Sequence, residues 1–241
     1  MSPDGVAPPA ADRFAGGRPD PRLPEAVLFD LDGTLIDSVP DIAAATNELL
    51  ARHGLDPLCV DAVRRMIGHG VSPLVQRAFA ARSIPLEGDA LDARVAQMMP
   101  IYGRHLVTLT TVLPGASACL ETLAQAGVRL AIVSNKPMPF TRAICDHYGF
   151  SRHVAVVQGA EAHLAKKPAP DMLYAALDAM GAGRSRAVMV GDGEADVQAA
   201  RAAGLPVVIV RGGYGGEPAD AFAPDLVIDG LSDLADALRR L

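Results

Sequence analysis

Ala26-Val27-Leu28-Phe29-Asp30-Leu31-Asp32-Gly33-Thr34-Leu35-Ile36-Asp37-Ser38 is the stretch whose reading decides the fold. An apolar run ends on a carboxylate, a second carboxylate follows two positions later, and Gly-Thr comes next. That order reads as a buried strand from Ala26 to Asp30, which delivers two acids to its carboxyl end and then turns tightly. Two carboxylates at the mouth of a buried strand are costly unless something cationic holds them. Asp-Gly alone signals only a turn, so the rest of the chain must supply the reason for the acids.

Downstream of this strand, residues 39–109 carry no strong strand pattern. Leu, Ala, Val and Met recur at helical spacing over Asp41 to His53, Val60 to Ile67, Ser72 to Ala81 and Asp89 to His105. Gly54, Gly68-His69-Gly70 and Pro85 punctuate them. A purely helical block directly after a first strand reads as a small inserted α-helical cap domain. Alternation then resumes. Strands are expected at Val128–Ser134, Val154–Val157, Ala187–Gly191, Pro206–Val210 and Leu226–Ile228. Helices are expected near 115–126, 140–148, 171–180, 194–203 and 232–240. Strands alternating with helices of these lengths imply an α/β fold: a Rossmann-like parallel sheet with helices on both faces. The expected division is a disordered leader over 1–22, a core of 23–38 and 110–241, and a cap of 39–109.

The totals allow a sizeable core. The chain has 241 residues, half of them apolar, and a net charge of −6. The charge argues against general nucleic-acid binding. The Pro- and Gly-rich leader has no apolar segment of a signal peptide, and no run is long enough to span a membrane. Cys59, Cys119 and Cys145 are far apart and fit no zinc spacing, so they are expected as reduced thiols of a cytoplasmic protein. Lysine is confined to Lys136, Lys166 and Lys167, all beside expected strand ends. A compact ammonium is not replaceable by a forked guanidinium where space is tight.

In parallel sheets ligands bind at the carboxyl ends of the strands. Four sets of polar residues fall there: Asp30 and Asp32; Ser134-Asn135-Lys136; Lys166-Lys167-Pro168; and Gly191-Asp192-Gly193-Glu194-Ala195-Asp196. Carboxylates this close repel, and with oxygen as the only donor type the set suits a hard cation such as Mg²⁺. Ser134 offers a hydroxyl, and N–H groups near a helix start suit a phosphate oxygen. Lys167 supplies a point charge. Together these form a clamp for a phosphoryl group, where one Asp can attack phosphorus and a second can act as acid and base.

In order and spacing these segments resemble the haloacid dehalogenase superfamily of phosphohydrolases. The resemblance covers the chain from about Glu25 onward and includes the helical insertion. It implies that Asp30 is the nucleophile and that Asp32 protonates the leaving alkoxide and then activates water. It also implies metal binding by Asp30, the main-chain carbonyl of Asp32, and Asp192, with Asp196 one shell further out. Ser134 and the amide of Asn135 would hold the phosphate, and Lys167 rather than Lys166 fits the third motif. Within the superfamily the likeness is greatest to bacterial phosphoglycolate phosphatases. It rests on Ile67-Gly68-His69-Gly70, the run from Ser134 to Phe140, and Gly213-Tyr214-Gly215-Gly216-Glu217. Gly193 stands where many members have Ser, and His69 where Asn is common.

The expected activity is therefore Mg²⁺-dependent hydrolysis of a small phosphorylated metabolite, 2-phosphoglycolate first among them, by a monomer or homodimer. Candidate substrate contacts in the cap are Gly68, His69 and Gly70, with Arg64, Arg65 or Arg77. Each of these arginines fits a solvated helix face first. Another sugar or amino-sugar phosphate, or a phosphomutase reaction, fits the same motifs. A receiver-type signalling module shares the Asp, Mg²⁺ and Lys, but is about half this length and has no cap. Arg211 to Gly216 does not link strand to helix as a dinucleotide-binding loop must.

Overall fold

The computed structural model describes residues 20–214 and 218–241. Residues 1–19 of the expected leader, and Gly215, Gly216 and Glu217, lie outside the described residues. The chain enters through β1 (Ala26–Phe29), makes a two-residue strand β2 (Ile36–Asp37), and continues as α1 (Val39–Arg52), α2 (Val60–Arg64), α3 (Val71–Ala80) and α4 (Gly88–His105). It returns through β3 (Thr111–Val112), followed by α5 (Ala116–Gln125), β4 (Arg129–Pro137), α6 (Met138–His147) and β5 (Val156–Ala160). The remainder is α7 (Asp171–Met180), β6 (Ala187–Gly191), α8 (Glu194–Ala203), β7 (Val207–Val210), β8 (Leu226–Ile228) and α9 (Leu234–Leu238).

Six of these strands form one parallel sheet in the order β5-β4-β1-β6-β7-β8. β1 is central and buried on both faces. Val27 and Phe29 pack with α5, α6 and α9, while Ala26 and Leu28 pack with α7 and α8. That explains a continuous apolar run rather than an alternating one. In register, Phe29 lies beside Ile132 of β4 and Val190 of β6. The residues that follow these three strands therefore meet at one edge.

Two strands differ from their expected spans by more than one residue. β4 runs on through Ser134, Asn135 and Lys136 to Pro137, with a register shift against β5 between Val133 and Pro137. An irregularity of this kind re-aims side chains at a sheet edge. β5 begins later than expected, because Val154 is buried in the preceding turn and pairing starts at Val156. Gly159 then lies so close to α6 that a Cβ there would sit 2.4 Å from Met138 Cα.

The four helices α1 to α4 enclose an apolar cluster of their own, including Leu49, Val63, Phe79, Met98 and Ile101. The two chain passages that join them to the sheet run side by side as the antiparallel pair β2–β3. Asp41 at the start of α1 accepts bonds from the Leu109 and Thr110 amides and the Thr110 hydroxyl. Cys119 and Cys145 are buried, Cys59 is exposed, and all three are free thiols. Among the described residues no helix is long and apolar enough to cross a membrane.

Candidate active site

Asp30 follows β1 directly, and its Oδ1 accepts a bond from Lys167 Nζ at 2.8 Å. Lys167 is fully enclosed. Its remaining bonds go to Asp196 Oδ1 at 2.7 Å and the Val133 carbonyl at 2.8 Å. Burial alone would lower this ammonium, but Asp196 and Asp30 outweigh it and hold the group above the usual lysine range. Asp196 has its other oxygen on the amides of Asp192 and Gly193, where it caps the start of α8.

Asp192 is gripped on both oxygens. Thr34 Oγ1 donates to Oδ1 at 3.0 Å, and the Tyr214 amide donates to Oδ2 at 2.7 Å. Its chamber is walled by glycine. A Cβ on Gly33 would come within 2.5 Å of the carboxylate, and one on Gly213 within 2.3 Å. Gly33 also takes φ of +88°, which a side chain would resist.

One carboxylate oxygen from each of Asp30, Asp192 and Asp196 lies within 4.8 Å of the others. Three carboxylates thus face a single ammonium. Burial is the main force that pushes Asp30 up to about 7, with Asp196 and Asp32 adding to it against Lys167. Burial, then Asp196 and Asp30, raise Asp192 well above the carboxylate range. The cluster is short of positive charge by about two units, its donors are all oxygen, and that fits a hard divalent cation.

Asp32 stands apart from this trio. Its Oδ1 accepts from Ser38 Oγ and from Lys136 Nζ, each at 2.5 Å. The side chain is therefore already paired with a cation of its own. The carboxylate in the geometric trio is Asp196, not Asp32.

Ser134 is buried at the same edge, and its Oγ accepts the Lys136 amide at 3.3 Å. The side-chain nitrogen of Asn135 donates to the Gly68 carbonyl at 2.9 Å and to the Lys167 carbonyl at 2.8 Å. It thus ties the glycine loop of the helical block to the loop that carries Lys167. Gly70 sits against that contact, with φ of +89° and room for a Cβ only 3.1 Å from the Asn135 carbonyl oxygen.

Above these groups lies a cavity of about 270 Å³. Its floor is Asp30, Asp32, Ser134, Lys136, Lys167 and Asp192, and its roof includes Gly68, His69, Gly70, Arg65, Arg77 and Tyr102. Arg64 is not part of the roof, and lies instead over the Tyr214 ring at 5.4 Å. Lys166 is exposed but not remote, since its ammonium lies near Gly70. Thr34 and Tyr214, which orient Asp192, and Ser38 and Lys136, which hold Asp32, had no role assigned from sequence. Lys136 stood out as one of three lysines, and Tyr214 as part of the Gly-Tyr-Gly-Gly segment.

A family model for haloacid dehalogenase-like hydrolases matches residues 24–204. The chain is 40% identical over 220 residues to a phosphoglycolate phosphatase of Rhodospirillum rubrum, covering 90% of this chain and 91% of that one. It is 38% identical to a phosphoglycolate phosphatase of Caulobacter vibrioides, covering 88% and 89%. The crystal structure of a predicted phosphoglycolate phosphatase from Haemophilus somnus superposes with a TM-score of 0.82 at 29% identity, covering 88% of this chain and 97% of that one. CbbY from Rhodobacter sphaeroides, solved in complex with phosphate, superposes with a TM-score of 0.75 at 25% identity, covering 91% and 100%. The matched span carries every member of the carboxylate cluster, and the chain belongs to the haloacid dehalogenase-like hydrolases.

Proposed function

We propose that this chain is a Mg²⁺-dependent phosphomonoesterase that converts 2-phosphoglycolate to glycolate and phosphate, with residues 39–109 acting as its cap. The observation that carries the reading is Asp30 at the floor of the cavity, its Oδ1 on Lys167 and its neighbours Asp192 and Asp196. The names of the relatives give the substrate.

Asp30 attacks phosphorus, so that a carboxylate–phosphorus bond forms as the ester P–O bond breaks. Asp32 gives its proton to the departing glycolate oxygen. Asp32 then takes a proton from water, the water oxygen attacks phosphorus, and the bond to Asp30 breaks to release phosphate. Lys167 holds Asp30 in place and balances its charge, and Ser134 offers its hydroxyl to a phosphoryl oxygen. Asp30, Asp192 and the Asp32 carbonyl would hold Mg²⁺, which supplies positive charge against the phosphoryl oxygens when bound.

A panel of phosphate esters, with and without Mg²⁺, tests the reading. Preference for hexose or amino-sugar phosphates would sink the substrate assignment. Rearrangement without phosphate release would make the reaction a mutase.

Arg65 and Arg77 bring positive charge to the roof, where a substrate carboxylate would lie. Arg77 already donates to the Met66 carbonyl at 3.1 Å, which braces its guanidinium. Arg77→Ala is expected to raise KM for 2-phosphoglycolate roughly tenfold, as for loss of one charge-assisted bond, and to leave KM for ethyl phosphate nearly unchanged. Equal effects on both esters would remove Arg77 from carboxylate recognition.

The carboxylate cluster also sets a pH dependence. Asp30 ionises near 3.8 in the unfolded chain and at about 7 in the fold. The folded state therefore holds its proton more tightly, and that contribution to stability is lost as pH rises through this window. A cation that replaces the proton reverses the loss. The rise in melting temperature on adding Mg²⁺ to chelator-treated protein is expected to grow from pH 5 to pH 8. An increment independent of pH would show that Mg²⁺ does not bind these carboxylates.

A further inference from the structure

Of the two buried lysines, Lys167 serves Asp30, and the chemistry above gives Lys136 no part. Lys136 has only 2% of its side chain exposed, and its Nζ bonds Asp32 Oδ1 at 2.5 Å. The same ammonium lies 5.2 Å from the ring centroid of Tyr102, within cation–π range. Tyr102 belongs to α4 of the helical block and is itself buried. Its ring meets Phe140 of α6 edge-on, with centroids 5.3 Å apart. Lys136 thus stands between an acid in the turn after β1 and a helix that roofs the cavity.

We propose that Lys136 is a positioning residue for Asp32 and that Tyr102 sets its place from the helical block. The proposal rests on Asp32 being the proton donor to the leaving oxygen. Lys136 and Ser38 both bond Oδ1, and among the described residues Oδ2 accepts no bond. One oxygen is pinned, and the other is left for the substrate. The seat between a carboxylate and an aromatic face suits a compact ammonium and not a planar fork. Aim of the acid then depends on how α4 is seated on α6.

Leaving-group dependence separates this role from a merely structural one. Glycolate leaves as a poor alkoxide and needs the proton, whereas p-nitrophenolate leaves without it. kcat/KM is measured for 2-phosphoglycolate and for p-nitrophenyl phosphate in the wild type, Asp32→Asn, Lys136→Met and Tyr102→Leu, with melting temperatures alongside. A misaimed acid costs about 10²-fold on 2-phosphoglycolate in Lys136→Met and under about fivefold on the aryl ester. Tyr102→Leu shows the same split, at roughly tenfold on 2-phosphoglycolate. Equal losses on both esters, or none, overturn the proposal. If Lys136→Met does not fold, Tyr102→Leu decides in the same way. A split in Asp32→Asn without one in Lys136→Met overturns the role of Lys136 alone. No split in Asp32→Asn overturns the reading of Asp32 as donor, and this proposal with it.

Discussion

Asp30→Asn is expected to lower phosphate release from 2-phosphoglycolate by about 10⁴-fold or more, because under the proposed mechanism it removes the attacking oxygen and not a supporting contact. The fold has little reason to suffer. The Asp30 amide still donates to the Val190 carbonyl, and an Asn oxygen can still accept from Lys167. Burial pushes Asp30 up to about 7, with Asp196 and Asp32 adding to it, so an ionised Asp30 is held against its preference. A neutral amide relieves that repulsion. In chelator-treated protein at pH 8 the variant is therefore expected to melt no lower than the wild type, and somewhat higher. Loss of activity with unchanged or raised melting temperature points to chemistry, whereas loss of both points to misfolding. Turnover within tenfold of the wild type, with deamidation excluded by mass spectrometry, would remove Asp30 as the nucleophile.

The strands that carry Asp30 and Asp192 were legible because each is a short apolar run that stops on an acid. β6 spans Ala187–Gly191, as expected. Four apolar residues buried on both faces leave a strong local signal. β2 and β3 left none, since two residues cannot show a period and their pairing joins Ile36 to Val112 across the whole helical block. The irregular stretch of β4 was equally silent. Ser134-Asn135-Lys136 has the composition of a turn, and only pairing with β5 on either side keeps it in the sheet.

Within the site, identity was easier to read than partnership. Asp30, Asp192, Asp196 and Lys167 could be placed at strand ends because the ends are local features. Which acid pairs with which cation could not. Lys136 and Asp32 are 104 positions apart, and Thr34 and Asp192 are 158 apart. Such contacts depend on side-chain reach over the sheet edge, and no spacing along the chain encodes it. Arg64 shows the same limit from the other side. Arg64 and Arg65 are adjacent and alike in sequence, yet one lies over Tyr214 and the other lines the cavity.

Lys167→Met is expected to cost about 10³-fold in kcat/KM and, unlike Asp30→Asn, to cost stability as well. The ammonium makes three bonds in a buried nest: to Asp30, to Asp196 and to the Val133 carbonyl. Breaking a buried ion pair by removing one partner typically costs about 3–5 kcal/mol, a large share of a domain's stability. The cost depends on pH in a definite direction. Burial raises the carboxyl of Asp30, and Lys167 is the largest force opposing that rise. Without Lys167 the carboxyl rises further, so at pH 5.5 Asp30 holds its proton and adds no charge of its own to that of Asp196, which has lost its cation. Towards pH 8 the variant goes on losing stability as its higher carboxyl is titrated, after the wild type's loss is largely complete. Urea unfolding of wild type and variant, both with chelator, is expected to show a larger gap at pH 8 than at pH 5.5. Lys167→Arg should not restore activity, since a planar fork cannot point at three acceptors arranged around one atom. A gap that stays constant with pH would mean that Lys167 is not the counter-charge of this cluster. Activity restored by Arg would mean that charge alone, and not its placement, is what Asp30 needs.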